Sequence, residues 1–155
     1  MRVLGIDPGT RVVGWGVVER KGNRLRAVAW GALKAKASDE VPDRLRVLHE
    51  GLRALLAEHR PDAVAIEEAF FGKNARSALA LGEGRGAALL AASLHGVPVK
   101  QYPPSTVKKA VSGRGGAAKE QVGAMVRVLL GLAEIPQPAD ASDALAVAIC
   151  ALNRS

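Results

Sequence analysis

Apolar residues recur at two different spacings along this chain, and the change between them divides it into two kinds of element. RVLGID at 2–7, VVGWGVVE at 12–19 and LRAVAWGALKA at 25–35 are short apolar-rich runs, which predict strands. The breaks between them are tight: Pro8 to Arg11 in the first, and Lys21, Gly22 and Asn23, a hairpin composition, in the second. Three such strands in succession read as an antiparallel meander. The period then lengthens. Leu45, Leu48, Leu52, Leu55 and Leu56 fall on one helical face, and Pro61 stops that helix. AVAIE at 63–67 is near-continuously apolar, as in a strand buried on both faces. NARSALALGEGRGAALLAASLHG at 74–96 reads as helix, VPVKQY at 97–102 as strand, and the remainder as helical. A meander followed by α/β units predicts an α/β fold, a mixed five-stranded sheet with helices on both faces.

Composition narrows the class. The 155 residues suit one domain, 1–155, able to bury a core without disulfides, and 48% hydrophobic with 24% charged residues is a globular balance. No apolar run approaches the roughly 20 residues of a membrane span, and the N-terminus lacks a signal-peptide layout. The single Cys150 sits in an apolar segment, so a buried thiol is expected, in a reducing, cytoplasmic setting. Lys and Arg outnumber Asp and Glu 22 to 15, a net charge of +7 that favours a polyanionic partner. Aromatic residues make up only 3%, which argues against base stacking as the main mode of binding.

Four carboxylates then stand out. Asp7 and Glu67 each terminate a predicted buried strand, and ligand groups gather at the carboxyl ends of parallel strands. Asp140 and Asp143, three apart near a helix start, share a face. Each has an ordinary alternative: Asp7 as a turn residue before Pro8, Asp140 as a helix cap, Asp143 as a partner of the helix dipole. Convergence of all four needs cations, because like charges at short range oppose joint ionisation. Oxygen ligands select Mg²⁺, with Mn²⁺ as substitute, and two such ions about 4 Å apart suit phosphodiester hydrolysis. Around them lie candidate phosphate-binding residues: Lys73 and Arg76 after Phe70, and Arg114 and Lys119 flanking the glycine-rich GRGGAA at 113–118. Gly82, Gly84 and Gly86, with Ala87, Ala88, Ala91 and Ala92, make a smooth helix surface that suits close packing on the sheet or on a second copy. His49, His59 and His95 fall in or at the ends of surface-looking helices and receive no role.

GIDPGT at 5–10, AIE at 65–67, FFGKN at 70–74, VKKAVSG at 107–113 and DASDALA at 140–146 together resemble the RuvC family of Holliday-junction resolvases, in order and across nearly the whole chain. GIDPGT alone is shared with sugar kinases and chaperone ATPases of a related fold; the set of five is specific. The resemblance implies an RNase H-like fold and a homodimer that cuts four-way DNA junctions with two symmetric nicks. It implies metal-binding roles for Asp7, Glu67, Asp140 and Asp143, where some relatives carry histidine for the third acid. It further implies that Phe70 wedges against bases at the crossover and that Lys108 and Lys119 contact phosphates or support the reaction. The RuvAB branch-migration complex is the implied partner beside junction DNA.

Overall fold

The computed structural model describes residues 1–68 and 74–155. Its elements are β1 (Arg2–Asp7), β2 (Val12–Lys21), β3 (Arg24–Lys34), α1 (Val41–His59), β4 (Ala63–Glu67), α2 (Ala75–Leu94), β5 (Val99–Tyr102), α3 (Pro104–Ser112), α4 (Lys119–Leu130) and α5 (Ala139–Asn153). The strands form one sheet in the order β3-β2-β1-β4-β5. β1, β2 and β3 pair antiparallel, as the meander predicted, whereas β4 pairs parallel to both β1 and β5. A bulge between Val17 and Val18 shifts the β2–β3 register.

Side-chain alternation sorts the strands onto two cores. Leu4, Ile6, Val13, Val17, Val64 and Ile66 pack beneath α1 and α2, while Val3, Val18, Ala63 and Ala65 pack against α3, α4 and α5. Continuing the period of two, Asp7 follows Val3 and Gly5, and Glu67 follows Ala63 and Ala65. Both acids therefore leave the sheet on the α5 side, and the Ile6–Ile66 pairing sets them level.

Helix α5 comes unusually close to that face. It is buried at Ala141, at Ser142 and continuously from Ala144 to Leu152, so it reads as apolar on nearly every side. Its floor is glycine: a Cβ on Gly14 would land on the backbone of Asp140, one on Gly5 on the backbone of Ala144, and one on Gly16 on the side chain of Leu145. Leu145, Ile149 and Leu152 are fully buried, each contributing about 1.5–3 kcal/mol by apolar burial.

Helix α1 stops before Pro61 as expected, running to His59 with the left-handed Arg60 (φ 47°) donating its amide to the Leu56 carbonyl as the cap. Two sequence expectations change in detail. β5 begins at Val99 rather than 97, with the Pro98 carbonyl already accepting from the Val64 amide. His59 is buried instead of exposed, its ring 5.8 Å from that of Trp15.

Candidate active site

The carboxyl end of β1 and the first turns of α5 meet in a single acid cluster. One carboxylate oxygen from each of Asp7, Asp140 and Asp143 lies within 4.8 Å of the others, and all three side chains are half-buried. Asp140 does not cap its helix. Pro138 occupies the cap position, leaving Asp140 in the first turn, where the helix dipole favours a negative charge. Asp7 does not act as a turn acceptor either: among the described residues no backbone N–H donates to its carboxylate, which faces the carboxylates of Asp140 and Asp143. Glu67 stands outside this closest group of three; it lines a cavity of about 210 Å³ with Asp143, Lys108 and Lys119. Pro104, Val107, Val122 and Ala146 form its apolar wall. Those four were not singled out from the sequence, although the helical spacing of Pro104 and Val107 ahead of Lys108 was the available signal.

Electrostatics separate the acids from ordinary surface carboxylates. Burial, reinforced by the charges of Asp143 and Asp140, pushes Asp7 from 3.8 up to about 7. Burial also raises Glu67, again with Asp143 adding to it, while Lys108 and Lys119 pull the other way. Lys119, at the first position of α4, places its Nζ 3.0 Å from Asp143 Oδ2. That hydrogen bond and the charge of Asp143 raise the lysine further. Two lysines against four acids leave the cluster short of positive charge. The donors are all oxygen, close together and partly desolvated, so the arrangement fits hard divalent cations.

The remaining expected residues spread over a wider surface. Lys108 faces the cavity from α3. Arg114 is exposed in the loop before α4, where its amide hydrogen-bonds to Ser112 Oγ. Arg76 is exposed in the first turn of α2, which Asn74 caps by accepting from the amides of Arg76 and Ser77. Neither arginine lines the acid cavity. Phe70 and Lys73 lie outside the described residues. Cys150 is buried, as expected of an inert thiol.

Known proteins match this architecture over almost its full extent. The family model described as crossover junction endodeoxyribonuclease RuvC matches residues 3–151. The RuvC crossover junction endodeoxyribonuclease of Chloroflexus aggregans is 56% identical over 150 residues, covering 97% of this chain and 92% of that protein. A solved structure of Thermus thermophilus RuvC in complex with a Holliday junction substrate superposes with a TM-score of 0.92 at 42% identity, over 97% of this chain and 92% of the other. The yeast mitochondrial Holliday junction resolvase Ydc2 shares the fold at 14% identity and a TM-score of 0.66, over 96% and 77% of the two chains. The five-stranded mixed sheet is thus the RNase H-like fold expected from the motifs, and the chain belongs to the RuvC family.

Proposed function

We propose that this chain is an endonuclease that resolves Holliday junctions in DNA recombination and repair, acting by paired symmetric nicks that leave ligatable 5′-phosphate and 3′-hydroxyl ends. The observation that carries this is the Asp7–Asp140–Asp143 cluster at the meeting of β1 and α5, in a chain of this family. Asp7, Asp140, Asp143 and Glu67 would hold two Mg²⁺ ions, or Mn²⁺ in their place. Bound there, the ions supply an activated water and stabilisation of the leaving oxygen. Asp7, the most strongly perturbed acid, faces both α5 aspartates. Lys119 offsets the negative charge of the cluster and presents an ammonium to a scissile phosphate; Lys108 does so from the other wall of the cavity. Arg76 and Arg114, exposed on either side, extend the phosphate track with Lys73, and Phe70 wedges against the unstacked bases at the crossover.

A two-fold substrate suits a homodimer, and α2 offers the face for it. Leu79, Leu90 and Leu94 are more than half exposed. Gly82 and Gly86 lie on the same stripe, with nothing within 4 Å of a Cβ built on either. Gly84 differs, being taken up inside the protomer against Gly9. Work with RuvAB and a cytoplasmic setting complete the proposal; none of the described helices is long and apolar enough to cross a membrane.

A labelled four-way DNA junction, incubated with Mg²⁺ or with a chelator beside linear duplex and structured RNA, tests the activity. Symmetric cutting of the junction alone, only with metal, is expected; equal cutting of linear duplex or of RNA overturns the assignment. Sedimentation tests the dimer, and a chain that stays monomeric at working concentration removes it.

A further inference from the structure

Two adjacent residues of α2, Gly84 and Arg85, each touch a strand end that carries a carboxylate of the site. Gly84 is buried, and a Cβ added to it would lie 2.5 Å from the carbonyl oxygen of Gly9, in the loop that follows Asp7. Arg85 reaches the other strand. Its Nη1 donates to the carbonyl oxygen of Glu67 at 2.5 Å, and its Nη2 donates to Oε1 of Gln101 on β5. Gln101 is paired with Ile66, and Tyr102 with Glu67, so one guanidinium ties the ends of β4 and β5 to the helix that covers them.

That position matters because Glu67 is the last residue of its strand. The peptide that follows is held from two sides: the Glu68 amide donates to the Tyr102 carbonyl on β5 at 2.7 Å, and the Glu67 carbonyl, pointing the other way, is left to Arg85. A charge-assisted hydrogen bond from a planar fork fixes that peptide more strongly than a neutral donor would. Arg85 is not available to DNA in this arrangement: it is half-buried, and both Nη groups are engaged within the chain. Burial draws its guanidinium below the ordinary arginine value, with the charge of Glu68 opposing that shift.

The geometry points to Arg85 as a positioning residue for cleavage: it completes the fixing of the peptide after Glu67 and so aims the Glu67 carboxylate into the cavity that it lines with Asp143. This inference rests on the nuclease assignment above. Arg85 went unnoticed in the sequence because it sits among small residues in GEGRG, where the glycines drew attention to helix packing. An arginine set between glycines in the middle of a smooth helix was the signal.

Three substitutions in the full chain test it: Arg85→Ala, Arg85→Lys and Gln101→Ala. Mn²⁺ binding is followed by calorimetry at pH 8 without DNA, beside junction cleavage at saturating Mg²⁺, junction binding in chelator, and thermal melting. Arg85→Ala is expected to weaken Mn²⁺ binding about tenfold and slow cleavage about 10- to 100-fold, while junction binding in chelator stays within about twofold. Arg85→Lys, a point charge without the fork, falls between that variant and wild type, and Gln101→Ala lies nearer wild type. A folded Arg85→Ala chain with wild-type Mn²⁺ affinity and cleavage rate overturns the inference. Should that variant fail to fold, unchanged affinity and rate in Arg85→Lys overturn it instead. A wild-type chain that neither binds Mn²⁺ nor cuts the junction overturns the nuclease assignment, and this inference with it.

Discussion

The two ends of the β1–β2 ladder place their carboxylates in opposite surroundings. At one end Asp7 faces Gly14, and the absent side chain lets α5 bring Asp140 and Asp143 against it. At the other end Arg2 faces Glu19, whose carboxylate has Arg2 at 3.2 Å and Lys21 and Arg26 each at 3.7 Å. Burial works to raise Glu19, yet the Arg2 hydrogen bond and the charges of Lys21, Arg2 and Arg26 hold it below the usual range. The same strands thus carry one carboxylate whose charge is balanced by cations of its own chain and one whose charge is not. A balanced acid ties strands together. An unbalanced one invites a cation from outside, and that distinction separates a structural ion pair from a site.

Substitutions at the two ends should differ accordingly. Asp7→Asn removes a charged ligand at the centre of the proposed metal site, where several kcal/mol of transition-state stabilisation corresponds to a loss of about 10³-fold or more in cleavage. Junction binding in chelator should survive, so a gel-shift series beside the cleavage assay separates the two effects; a variant that still cuts with Mg²⁺ removes Asp7 from the site. Lys119→Ala comes next, with an expected slowing of about 10- to 100-fold through loss of the cation beside Asp143.

Acidity sharpens the contrast further. Asp7 titrates near 7 in the folded, metal-free chain against 3.8 ordinarily, so between those values the folded state holds a proton that the unfolded state has released. Its contribution to stability in chelator should therefore fall as pH rises from about 4 to about 7, and added Mg²⁺ should restore stability most at the alkaline end. Below pH 7 the proton competes with metal, and the Mg²⁺ concentration for half-maximal cleavage should rise by about tenfold per pH unit. Melting curves and metal titrations at pH 5, 6, 7 and 8 measure both. Glu19, depressed rather than raised, contributes in the opposite sense: its stabilisation is present above the ordinary carboxylate range and is lost on acidification. The smallest effect belongs to Glu19→Gln, which should leave the cleavage rate within about twofold, since its ion pairs run to Arg2, Lys21 and Arg26 and to no residue of the site. A large loss there would erase the distinction between the two ends.

The sequence made the acids legible because chemistry and periodicity agreed at them. Asp7 and Glu67 end apolar runs, and a period of two from Val3 and Ala63 already puts them on one face. Asp140 and Asp143 were visible as a pair, but their approach to Asp7 depends on Gly5, Gly14 and Gly16, whose meaning appears only once α5 lies on them. The glycine helix was legible in part. Gly84 is used within the protomer, whereas Gly82 and Gly86 face open space, a difference of helical phase that composition alone does not resolve. His59 looked like a surface residue at a helix end, and its burial against Trp15 depends on how α1 lies across the sheet. Arg85 escaped because its partners are a backbone carbonyl and an amide side chain from two other elements, contacts without a sequence period.

The burial of α5 along nearly its whole length also bears on how the protein comes apart. Segments with dense apolar contacts and few solvent-exposed amides open last in native-state hydrogen exchange. Asp140 and Asp143 ride on such a segment, and Asp7 ends the strand beneath it. Native-state hydrogen exchange is therefore expected to place the cluster in the slowest-exchanging unit of the chain. Frayed termini and open loops would leave its geometry intact, and the capacity to cut should persist on heating until the whole fold gives way.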